Sequence, residues 1–115
     1  MDRVFLHPLK AYKLFKLRAD GTLGPLFINA SQRVPVGVWL KAGDHPTKGF
    51  AHRPGWHCTL KPEAPHLTLK PKKGPKRVWC EVEVCETKLY DRPESQGGTW
   101  VLAEWLKVNR VLNEE

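Results

Sequence analysis

The run Arg77 to Glu86, RVWCEVEVCE, alternates with a period of two, which restricts it to a strand with one covered face. Val78, Cys80, Val82 and Val84 fall on one side, and Trp79, Glu81, Glu83 and Cys85 fall on the other. The valine side is the buried one, and Cys80 reads as a small apolar core residue on it. The opposite side presents paired carboxylates flanked by Trp79.

A half-buried strand needs partners, and the chain offers them on both flanks. Asp91 to Gly98, DRPESQGG, reads as a loop. Trp100 to Leu112, WVLAEWLKVNRVL, then has the β-branched and aromatic content of a strand, although Val101, Trp105, Val108 and Leu112 also stand at helical spacing. Near the N-terminus, Ala11 to Arg18 mixes apolar, aromatic and basic residues and runs into Asp20-Gly21, a hairpin signal because both positions tolerate positive φ. The return strand is Thr22 to Ile28, interrupted by Gly24-Pro25 and therefore at an edge or bulged. Val34 to Ala42, VPVGVWLKA, is read as a short helix, and Gly43 opens a polar loop. The tail 113–115 should fray.

Together these elements predict an α+β fold: one domain over residues 1–115, a strongly bent antiparallel sheet, and one or two short helices around Val34 to Ala42. Ten prolines and nine glycines agree with short elements and many turns. At 115 residues the chain can bury a core without staples. Three cysteines form neither an even framework nor a C-x-x-C pair, so a reducing cytoplasm is expected. The start, MDRVFLHPLK, lacks an apolar signal-peptide core, and no apolar run approaches the ~18 residues of a membrane span. No membrane partner is expected; oligomeric state is left open.

Charge points to the partner. The net charge is +7 and the pI is near 9.5, which favours nucleic acid or an acidic protein that imitates it. Five tryptophans exceed what a core this small normally needs, so some are available to a surface. Leu69 to Arg77, LKPKKGPKR, carries Lys70, Lys72, Lys73, Lys76 and Arg77 on a loop stiffened by proline and suited to tracking a phosphate backbone. The alternative is a solvated hairpin loop whose lysines discourage edge pairing.

Most other candidate chemistry lies in Gly49 to Leu69, GFAHRPGWHCTLKPEAPHLTL. His57-Cys58-Thr59-Leu60 and His66-Leu67-Thr68-Leu69 are matching tetrapeptides, and on a strand His57 and Thr59 would share a face. Paired words of this kind invite comparison with two-histidine phosphoesterases, but those carry the motifs in separate lobes, and nine residues here separate His57 from His66. His52, His57, Cys58 and His66 include zinc-ligand types at a spacing that matches no tetrahedral pattern, so no metal is expected. The expected binding surface is Arg53, Trp56, His57, Thr59 and His66 together with Lys70, Lys72, Lys73, Lys76 and Arg77. Cations there stand among aromatic faces, as in single-strand binders.

Laid end to end, YKLF, DGTLGPLFI, VPVGVWL, GFAHRPGWHCT, APHL, VWCEVEV and RPESQGG resemble a family of small uncharacterised phage and prophage proteins, related to a module in phage polyproteins. That resemblance implies an accessory protein of the bacterial host cytoplasm. It would act by binding nucleic acid or a host complex that handles it, in a setting where countering host defence is common. A second stretch, Gly55-Trp56-His57-Cys58-Thr59-Leu60-Lys61-Pro62-Glu63-Ala64 followed by Val78 to Val84, resembles ADP-ribosyltransferase-like domains. It implies a split sheet, NAD as cofactor, His57 on the dinucleotide and Glu94 steadying the ribosyl cation, with Trp56 and Thr59 shaping the pocket. This chain has Tyr12-Lys13-Leu14 where that family presents Arg or His on its first strand.

Overall fold

The computed structural model describes residues 7–26, 31–43, 55–63 and 74–112. Among the described residues there are six strands: β1 (Leu9–Leu17), β2 (Leu23–Gly24), β3 (Leu40–Lys41), β4 (Trp56–Thr59), β5 (Arg77–Asp91) and β6 (Thr99–Val111). The α+β expectation is wrong. The described residues contain no α-helix, only the three-residue 3-10 turn Glu94–Gln96, and the domain is all-β. The split sheet implied by the transferase resemblance falls with it.

The expected helix at Val34 to Ala42 fails for a local reason. Pro35 disfavours helical geometry at Val34, and Gly37 takes a φ of 84°, outside the helical region. The backbone instead docks on β6: Gly37 N–H donates to Val108 O at 2.8 Å and Ala42 N–H to Glu104 O at 2.7 Å. Between them β3 pairs Leu40 with Leu106 and Lys41 with Trp105.

The Asp20-Gly21 turn forms. Gly21 has a φ of 87°, and the Asp20 carboxylate accepts from the Thr22 N–H at 3.0 Å and its hydroxyl at 2.6 Å. The return strand is cut to β2, an edge strand that Pro25, lacking an N–H, does not extend. Arg18 straps this hairpin, donating to Leu23 O and Gln32 O, each at 2.9 Å.

β5 and β6 are the long hairpin. Inside it, the alternation switches face near Glu86, whose φ of 57° is unusual for a residue with a Cβ. Val84 and Leu106 are register partners before it, and Thr87 and Ala103 after it. That switch hides the last third of β5 from a period-two reading. A second irregularity falls between Glu81 and Val82, where Asn109 is the extra residue on β6.

The sheet closes on itself. β1 pairs β5, β5 pairs β6, β6 pairs β4, and β4 returns to β1 through Tyr12↔Thr59. The result is a small barrel whose principal strands lack long open edges at the closure. Ala11 and Phe15 from β1, Trp56 and Cys58 from β4, Val78 to Val84 at alternate positions of β5, and Val101, Ala103, Leu106 and Val108 from β6 fill its interior. No helix among the described residues is long and apolar enough to cross a membrane.

Candidate nucleic-acid interface

β4 divides the residues expected to act together. Trp56 points into the barrel, is 6 % exposed, and donates its indole N–H to Leu40 O at 3.1 Å. It is a core residue holding β3 to β4, not part of a surface. His57 and Thr59 share the opposite face, as the strand period requires, yet neither is open. Thr59 is buried, with its hydroxyl bonded to Lys61 O and, at 3.3 Å, to Tyr12 O, so it stitches the barrel closure. His57 is half-buried, with Nδ1 2.8 Å from the Tyr90 hydroxyl and the two rings edge to face at 5.7 Å.

Glu94 sits exposed on the 3-10 turn between β5 and β6. Arg53, His66, Lys70, Lys72 and Lys73 lie outside the described residues. Among the described residues no cluster of three metal-ligating side chains occurs.

Below β4 lies a half-buried lysine. Lys13 shares the inward parity of Ala11 and Phe15, and its ammonium donates to His57 O at 2.8 Å. The Phe15 and Trp56 rings stand 5.7 and 6.0 Å from it. Burial lowers its pKa from the ordinary lysine value, an effect the neighbouring Cys58 partly opposes. Burial also pushes the Cys58 thiol up to about 11 and the Cys80 thiol up to about 12, so neither is a nucleophile at neutral pH.

The outer face of β1, β5 and β6 is where charge gathers, in ranks set by register. Lys10 faces Glu83 and, beyond it, Lys107; Tyr12 faces Glu81 and then Arg110; Leu14 faces Trp79; Lys16 faces Arg77. The paired carboxylates are engaged. Glu81 meets Lys10 at 3.3 Å and Arg110 at 3.4 Å, and Glu83 meets Lys107 at 3.0 Å. Burial would raise the Glu81 pKa, but hydrogen bonds from Lys10 and Asn109 and the nearby cations outweigh it and hold the carboxyl below its usual value.

The other end of the face is different. Arg77 enters β5 opposite Lys16, and Leu17 N–H donates to Lys76 O at 2.8 Å, tying the end of the basic run to β1. Neither Lys16 nor Lys76 has an ion pair. Trp79 stands half-buried in the next rank. Its indole N–H and the Tyr12 hydroxyl make no hydrogen bond, whereas Trp100 donates to Gln96 O at 2.7 Å. Reading the sequence missed Lys16 and Tyr12. The signal was the parity of Lys10, Tyr12, Leu14 and Lys16, four alternate positions on one strand.

β1 links Thr59 to the Lys16 end of the face. Tyr12 touches Thr59 on one edge, and Lys16 lies four residues, about 13 Å, further along. Fold and site together define a small closed β-barrel with one cationic, aromatic end on its outer face. No family model, curated protein or solved structure matches the chain.

Proposed function

We propose that the protein is a nucleic-acid-binding module. The observation that carries this reading is the end of the outer face where Lys16 and Arg77 are register partners, joined by Lys76 and followed by Trp79. Lys16 and Lys76, held beside the sheet and without an ion pair, are poised to neutralise phosphates next to Arg77, and the overall charge of +7 favours their approach. The resemblance to phage and prophage proteins fits an accessory protein of a bacterial host cytoplasm, acting on nucleic acid directly or on the host complex that handles it, including one that serves defence. No observation favours the NAD-dependent alternative: His57 is held by Tyr90, and Glu94 lies on an exposed turn.

The test is binding of a labelled oligonucleotide, by fluorescence anisotropy, across a salt series. Log affinity should fall linearly with log salt, and each of Lys16→Ala, Lys76→Ala and Arg77→Ala should reduce the slope by about 0.7–0.9. Absence of binding at low salt would overturn the reading, as would slopes that none of the three substitutions changes.

A further inference from the structure

We infer that this face takes single-stranded nucleic acid, with an unpaired base stacked on Trp79 and the adjoining phosphate held by Lys16, Lys76 and Arg77. The inference rests on the proposed binding function and adds the class of ligand.

Trp56 and Trp100 are fixed by donating their indole N–H groups to backbone carbonyls, and Trp79 makes no such bond. Trp79 also sits on the outer face of the sheet, one rank from the Lys16–Arg77 pair. A rank is two residues, about 6.6–6.8 Å, so a ring and a cation pair at this separation can engage the base and the phosphate of one nucleotide. Tyr12 follows in the next rank with its hydroxyl unbonded, diagonal to Trp79 and available for the next base.

A duplex can use the cations of such a surface but not its rings. Its base faces are covered by stacking, and reading its edges requires a helix or ribbon that enters a groove. Here the aromatic rings lie on the face of a sheet, where an unpaired base has its π-face to offer. Glu81 marks the limit of the footprint. Its carboxylate stands in the Tyr12 rank, held by Lys10 and Arg110, and phosphates approaching that rank meet a charge that is already balanced. The site therefore runs from the Lys16 end toward Tyr12 and covers one or two nucleotides.

The experiment titrates the full chain with a short oligothymidylate and with a blunt duplex of equal length at the same low salt, for the wild type, Trp79→Ala and Trp79→Phe. The single strand should bind more tightly than the duplex. Trp79→Ala should weaken it by roughly 5- to 150-fold with the salt slope unchanged, and Trp79→Phe should restore most of the loss. Equal affinity for strand and duplex, with Trp79→Ala neutral, overturns this inference while leaving the binding function standing. No binding of either probe removes both. A thermal melt of each variant separates loss of stacking from loss of fold: if Trp79→Ala binds weakly only because it is unfolded at the assay temperature, Trp79→Phe must bind as wild type or the inference fails.

Discussion

Trp56 and Trp79 look alike in the sequence: each stands two or three residues after an arginine, Arg53 or Arg77, and each begins a short run of apolar and polar residues. In the fold they belong to opposite regimes. Trp56 sits inside the barrel with its indole nitrogen bonded to β3, while Trp79 lies on the outside with its nitrogen unbonded beside two cations. The lesson is that aromatic and basic residues close in sequence share a surface only where the sheet leaves both on the same side. β4 spends its tryptophan on closure; β5 keeps its own for the exterior.

The sharpest way to break that comparison is to truncate both rings. Trp56→Ala should cost about 3–5 kcal/mol of stability, the usual range for a large aromatic removed from a core. Trp79→Ala should cost about 1 kcal/mol, a typical value for a partly covered site. Urea denaturation measures both; equal losses would erase the distinction between the two regions.

The barrel interior can be read by chemistry as well. Three free cysteines are buried, and the thiols of Cys58 and Cys80 are shifted far above neutrality. A thiol reagent at neutral pH should label none quickly in the native protein and all three in denaturant. Fast native labelling of Cys58 or Cys80 would mean that the interior opens readily.

Lys13 sharpens the comparison within one strand, since Lys16, three residues on, faces out. With its folded pKa lowered from the ordinary 10.5, the folded state releases this proton before the unfolded state does. Below the folded pKa both states hold the proton and the penalty for burying the charge is fully present. As pH rises toward 10.5 the unfolded state binds more protons, and stability should climb. Lys13→Met should therefore stabilise the protein at neutral pH by on the order of 1 kcal/mol and remove that alkaline rise. A destabilised variant would show that the bond to His57 O outweighs the burial cost. On the exterior, Lys16→Ala with Arg77→Ala should change stability by no more than about 0.5 kcal/mol, the smallest expected effect, while still altering the salt dependence of binding.

Much of the frame was legible from local chemistry. Alternation in Val78 to Val84 identified β5 and its buried face, Asp20-Gly21 identified the hairpin, and the residues from Trp100 onward identified β6. Of the face proposed to bind, only Lys76 and Arg77 stood out in the sequence, as the end of the basic run. Trp56 and Thr59 were misread because the segment that holds them is rich in reactive residue types, and residue type does not report which way a strand is turned. Short, proline-bearing Val34 to Ala42 misled for a related reason: its hydrogen-bond partners lie on β6, more than sixty residues away in the chain.

What the sequence determined alone is what periodicity and turn chemistry can carry, because these depend on neighbours a few residues apart. Two faces of β1 follow from AYKLFKL, one with Ala11, Lys13 and Phe15 and one with Tyr12, Leu14 and Lys16, and each holds one lysine among apolar residues. The tertiary structure chose between them. Closure through Tyr12↔Thr59 turned Lys13 inward, where burial lowers its pKa, and left Lys16 outside, opposite Arg77. A period of two fixes which residues travel together, and only the packing of distant strands decides which set meets water.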